Sequence, residues 1–163
     1  MGVSGAGKST VGRLLAAQLG WAFHDGDDFH PPANVAKMKS GTPLDDEDRK
    51  PWLLAIQQLM RECETAGRSA VIACSALKDA HRRLLLAGEP WVRFIHLHGD
   101  RGTLACRMAS RQGHFMPPTL LESQLAALEP PSDALAVDIG PAPEVIVRSI
   151  LDRLGFSPAV PAP

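Results

Sequence analysis

The stretch Gly2-Val3-Ser4-Gly5-Ala6-Gly7-Lys8-Ser9-Thr10 matches G-x-x-x-x-G-K-[ST], with Gly2, Gly7, Lys8 and Ser9 at the defining positions. Glycines at this spacing let backbone N–H groups turn inward around phosphate oxygens. The helix predicted from about Lys8 adds its positive N-terminal end. Lys8 is placed to reach the β- and γ-phosphates, and the Ser9 hydroxyl to ligate Mg²⁺. A chance match in a chain of this size arises roughly once in a few hundred sequences of average composition. Val11, Leu14, Leu15 and Leu19 then fall at helical spacing, and Gly20 follows as a stop. The loop points to a nucleoside triphosphate without saying what is done with it.

Outward from the loop, the pattern switches repeatedly between strand and helix. A strand is predicted at Trp21–His24, a helix around Ala33–Ser40, and a longer helix with Pro51 in its first turn. That helix presents Trp52, Ile56, Leu59, Met60 and Cys63 on one face and runs to Gly67. Ala70–Cys74 reads as a strand buried on both faces. A helix over Lys78–Ala87, a strand over Val92–Leu97 and a helix over Gly102–Arg111 follow. Gly113-His-Phe-Met-Pro-Pro interrupts, and a helix over Thr119–Leu128 ends in Glu129-Pro-Pro. Leu135–Ile139 is the last strand, Val147, Ile150, Leu151 and Leu154 mark the last helix, and 157–163 form a frayed tail. Alternating strands and helices predict an α/β domain with a mainly parallel sheet.

At 163 residues the chain fits one domain with a core large enough to need no disulfide or metal staple. Seventeen Lys and Arg against eighteen Asp and Glu give a net charge of −1. That balance argues against a nucleic-acid or membrane-surface partner. No apolar run is long enough to span a membrane, and no basic segment precedes an apolar one as in a secretion signal. The three cysteines, Cys63, Cys74 and Cys106, are widely spaced and read as reduced thiols. The expectation is a cytoplasmic protein.

A loop of this kind normally hangs from a buried central strand, and here only Met1 precedes Gly2. The expectation is therefore that the first, loop-bearing strand is missing from this sequence. Such a loss removes two ladders of hydrogen bonds and lowers stability.

Asp25-Gly-Asp-Asp-Phe-His-Pro stands at the end of the strand after the first helix, where ligands bind in open α/β sheets. One carboxylate there can hold Mg²⁺ and another can accept a proton from an attacking hydroxyl. An acidic loop that merely caps a helix would carry the same spacing. A calcium loop is excluded, since position 12 counted from Asp25 is Ala36. Arg107 and Arg111, four apart, share a helix face. Arg82 and Arg83 read as a solvated helix face, and His96 and His98 as structural histidines.

Four blocks carry a family resemblance: GVSGAGKST at 2–10, DGDDFHPPANVAKMKSGTPLDDEDRKPWL at 25–53, CSALK at 74–78 and GHFMPPTLLESQLAALEPP at 113–131. Together they resemble the gluconate kinases of the small P-loop type, related to shikimate and nucleoside-monophosphate kinases. The resemblance runs from Met1 to about Gly155. It implies a P-loop NTPase fold of three α/β/α layers over residues 1–156, with a helical lid at about 107–130. It implies ATP-dependent phosphorylation of the 6-hydroxyl of D-gluconate, with Mg²⁺ as cofactor and residues 2–10 as the nucleotide site.

Within the resemblance, Asp27 corresponds to the aspartate at the acceptor hydroxyl and Asp25, with Ser9, to the metal position. Arg49 resembles the arginine that grips the substrate carboxylate, which a planar guanidinium can do through two parallel bonds. Lys78 is placed near substrate or the transferred phosphate. Arg107 and Arg111 correspond to lid arginines that stabilise charge on the moving phosphoryl group, and His114 to a lid or substrate contact. His81 stands where the family pattern has tyrosine. Homodimers are common among such enzymes. Rival readings are a kinase of the same fold for another small hydroxy acid, or a nucleotide-binding form impaired by loss of the first strand.

Overall fold

A computed structural model of the chain describes residues 1–86, 91–109 and 120–156. Helix α1 (Lys8–Leu19) starts at Gly7 and stops at Gly20, both left-handed, and buries Val11, Leu15 and Ala16. Strand β1 (Ala22–Asp25) returns along it, with the Phe23 ring against the bare Cα of Gly12. A single 3-10 turn, Gly26–Phe29, leads through α2 (Pro32–Lys39) to the long α3 (Asp46–Thr65). Then come β2 (Ala70–Ala73), α4 (Asp79–Leu86), β3 (Ile95–His98) and α5 (Arg101–Ala109). The described chain closes with α6 (Leu120–Ala127), β4 (Leu135–Asp138) and α7 (Pro143–Leu154). No helix among the described residues is long and apolar enough to cross a membrane.

All strand pairing among the described residues is parallel. β1 pairs with β2 from Ala22↔Ala70 to Asp25↔Ala73, and β3 with β4 from Ile95↔Leu135 to His98↔Asp138. Among the described residues there are two such pairs instead of one continuous ladder, with the backbone of Met1 and Gly2 between them. Met1 N bonds Ile95 O and Met1 O accepts from Leu97 N–H, the alternation of a parallel rung. Gly2 N–H donates to Ser75 O on the other side. The position of a loop-bearing strand is thus spanned, among the described residues, by this short bridge.

Two apolar clusters flank the strands, giving the α/β/α layering. One joins Val11 and Leu15 of α1 to Val137 and to Ile146, Val147 and Ile150 of α7. The other gathers Trp52, Leu53 and Ile56 of α3 with Cys74 and Leu85. Val92 and Phe94 pack against this second cluster, and β3 begins only at Ile95, three residues later than the apolar pattern predicts.

Pro51 does not lie in the first turn of α3. A capping box between Asp45 and Asp48 starts the helix at Asp46, because each side chain accepts the other's backbone N–H. Pro51 therefore falls in the second turn, and the carbonyl it cannot serve belongs to exposed Glu47. Arg82 is a second correction. It belongs to no solvated face but is 4% exposed, with Nη1 donating to Ala76 O at 3.2 Å and Leu77 O at 3.0 Å. Ala76 holds a left-handed φ of 42° and is fully buried, so its carbonyl needs an internal donor and Arg82 supplies one.

Candidate active site

The phosphate loop is built by close backbone approaches that exclude side chains. A Cβ on Gly2 would lie 2.5 Å from Leu97 O, and one on Gly5 would lie 2.8 Å from Leu104 O. Both residues also have φ in the left-handed half, at 138° and 84°. Val3, Ser4 and Ala6 are buried behind the loop, while Thr10 faces outward on α1. At Gly7 no side chain caps α1, and its first turn carries no acid. The first-turn N–H groups and the positive helix end are thus left for an anion. Lys8 Nζ folds back to Val3 O at 3.1 Å, so the ammonium lies over the loop itself.

β1 delivers the acidic segment to the same end of the fold. Asp25 closes the strand, and its Oδ2 accepts the Ser9 hydroxyl at 2.6 Å. Its other oxygen accepts Asp27 N–H at 3.3 Å, capping the 3-10 turn. Residues three apart eclipse in such a turn, which brings Asp27 and His30 to one side. Their backbones are joined as well, His30 N–H donating to Asp27 O. Beneath the turn Trp52 is fully buried, and its Nε1–H donates to Gly26 O at 2.6 Å. The His30 ring lies flat on the indole, with centroids 4.3 Å apart and planes 12° from parallel.

Lys8, Asp27, His30, Arg49, Ser75 and Gln124 line one cavity, with Met38 and Leu44 among its apolar walls. Cations from the loop and from α3 therefore face an acid from the 3-10 turn. Burial lowers the Arg49 pKa, opposed by the nearby carboxylates of Asp46 and Asp48. Burial, with the Arg49 charge second, pushes His30 down to about 4, so its imidazole is neutral near pH 7.

Arg107 also reaches the phosphate loop. Its Nη2 donates to Ile139 O at 2.8 Å, and Nη1 lies 3.8 Å from where a Cβ on Gly7 would stand. Lys78 is not among the cavity-lining residues, and both oxygens of Asp46 hold its ammonium at 2.7 Å. His81 Nε2 lies 3.3 Å from the same carboxylate. Arg111 and His114 lie outside the described residues, as does the tail at 157–163. So does the middle of the segment at 107–130 expected as a lid.

His30, Ser75 and Gln124 are among the cavity residues that escaped the sequence reading as site residues. His30 stands three positions after Asp27, a spacing that signals a shared side once the turn is known to be 3-10. Gln124 carried no local signal. It is 9% exposed on α6, and its Oε1 accepts Ser4 N–H of the phosphate loop at 2.7 Å, across 120 residues of sequence.

The shikimate kinase family profile matches residues 4–129. A gluconokinase from Gluconobacter oxydans is 47% identical over 154 residues, covering 93% of this chain and 86% of that protein. Among solved structures, a sugar kinase from Janibacter sp. superposes with a TM-score of 0.89 at 43% identity, covering 100% of this chain and 96% of that one. A gluconokinase from Sinorhizobium meliloti gives 0.84 at 44% identity, covering 95% and 89%.

Proposed function

The chain belongs to the gluconokinases within the shikimate kinase family, and from that membership we propose that it transfers the γ-phosphoryl group of ATP to the 6-hydroxyl of D-gluconate. The observation that carries the reading is the single cavity joining Lys8 of the phosphate loop to Asp27 and Arg49. A sugar acid offers a carboxylate at one end and a primary hydroxyl at the other, and the cavity has a cation and an acid for them.

The chemistry asks for positioning and charge stabilisation more than covalent catalysis. In this reading Arg49 grips the gluconate carboxylate and fixes which end of the chain faces the nucleotide. Asp27 orients the 6-hydroxyl and accepts its proton as the new O–P bond forms and the bond to the ADP oxygen breaks. Lys8, the loop N–H groups and Arg107 offset the negative charge on the phosphates. Ser9 and Asp25 form a pair of hard oxygen donors suited to Mg²⁺, which when bound neutralises the β- and γ-phosphate oxygens. Arg111 and His114 keep their assignments as lid and substrate contacts within the proposal, whereas Lys78, held by Asp46 and absent from the cavity lining, is given none.

The test is acceptor-dependent ADP release by the purified chain with Mg-ATP, comparing D-gluconate, shikimate, D-glycerate and no acceptor. Release with gluconate alone is expected. Preference for another acid would move the substrate while keeping the reaction, and release independent of any acceptor would remove the kinase reading.

A further inference from the structure

We propose that His30 is the specificity-determining residue that reads a hydroxyl of the acceptor's polyol chain. The inference rests on the gluconate reading above and adds to it a residue that neither the loop motif nor the acidic pair supplies. Three observations converge. First, the residue lines the same cavity as Asp27 and Arg49, the groups proposed to hold the two ends of the sugar acid, so it shares the space that the acid's chain would occupy. Second, its place is rigid. It lies on Trp52, whose own ring is fully buried and pinned by its N–H to Gly26 O. Third, His30 Nδ1 is buried and has no hydrogen-bond partner among the described residues. A buried polar atom left in that condition is costly, and binding sites are where such a cost is tolerated.

The chemistry selects a hydroxyl as the matching group. A neutral imidazole has one N–H donor and one bare nitrogen acceptor, and a hydroxyl has the same complement. Burial and the neighbouring guanidinium keep His30 neutral, so it does not compete with Arg49 for the carboxylate. A flat ring held on an indole shelf also offers its nitrogens in a single plane. That suits discrimination between acids of equal length that differ in one hydroxyl. A site built to bond a hydroxyl rejects the analogue lacking it far more strongly than an apolar pocket rejects a missing methylene.

The experiment measures kcat/KM for D-gluconate and for its monodeoxy analogues, in the unmodified chain and in His30→Phe. Phenylalanine keeps a flat ring on Trp52 and removes both nitrogens. The unmodified chain is expected to lose about 100-fold or more on one analogue. His30→Phe is expected to lose a similar factor on gluconate itself, and no further on that same analogue, with the ATP KM within about threefold. A His30→Phe protein that keeps the unmodified penalty for every analogue overturns the proposal. Loss spread equally over all analogues and over the ATP KM overturns it too, because a structural role would produce that. Should His30→Phe lose its circular dichroism, His30→Asn takes the same series and is judged by the same outcomes. If the unmodified chain prefers another hydroxy acid, the gluconate reading fails alone, and deoxy analogues of that acid put the same question to His30.

Discussion

The Ser9 hydroxyl donates to Asp25 Oδ2 at 2.6 Å, joining the first turn of α1 to the end of β1. This contact brings together the phosphate loop and the acidic turn, 16 residues apart in sequence. Both groups carry hard oxygen donors, and in the proposed mechanism the pair serves as one unit toward Mg²⁺.

Asp25→Ala should therefore raise the Mg²⁺ concentration for half-maximal activity by roughly 10–100-fold, the usual cost of losing a ligand-orienting group. Ser9→Ala should shift it in the same direction. The check is a Mg²⁺ titration at saturating ATP and gluconate. A curve unmoved in both variants would take the metal away from this pair.

Asp27→Asn keeps the shape of the side chain and removes its basicity. Turnover should fall by about 10²–10⁴-fold, the range for losing a general base, with the ATP KM nearly unchanged. Near-normal kcat would take Asp27 out of the proton transfer.

Gly5→Ala places a methyl group 2.8 Å from Leu104 O at a φ of 84°. Strain of ~1–3 kcal/mol is expected from the backbone conformation alone. Thermal melting should show a lower midpoint, and calorimetry should show weakened ATP binding, because the loop must shift to relieve the contact.

Arg82→Met keeps the length of the side chain but removes the donor shared by Ala76 O and Leu77 O. Two inward carbonyls then lose this partner, costing ~2–4 kcal/mol in urea unfolding. The same turn carries Ser75 into the cavity, so the gluconate KM should rise as well.

The depressed pKa of His30 makes a statement about stability. Its value lies at about 4 in the fold against 6.5 for the free side chain, chiefly through burial. Between those values the unfolded chain binds the proton and the folded chain does not. Stability is thus fully present above pH 6.5 and falls as the pH drops toward 4. His81 and His96 are lowered in the same direction, so the comparison with His30→Phe isolates this one group. Urea midpoints at pH 7 and pH 5 should differ less in His30→Phe than in the unmodified chain. Equal differences would mean that His30 does not carry the effect.

Local chemistry accounts for what was legible in the residues alone. The glycine spacing of 2–9 specifies a loop whichever partners surround it, because only glycine reaches those φ values without strain. Apolar periodicity placed α1, β1, α2 and β2 within a residue or two of their observed bounds. Local competition explains the miss at Pro51. The Asp45–Asp48 box starts α3 upstream, and a cap outweighs the positional preference of a single proline.

The cations show where that legibility ends. Lys8 is marked by the loop motif around it, but Arg49, Lys78 and Arg82 all stand in or beside motif blocks, and nothing in their neighbouring residues separates those three. Tertiary structure sends Lys8 and Arg49 to the cavity, ties Lys78 to Asp46 from 32 residues away, and buries Arg82 beneath the turn at Ala76. Gln124 reaches Ser4 across still greater separation. The phosphate loop, the acidic turn and the α/β order are legible in the residues alone, because each depends on positions only a few apart. Which long polar side chains meet in the cleft was decided only by the packing of α3, α4 and α6. A flexible side chain takes the partner that packing brings within about 3 Å, and sequence spacing does not encode that distance.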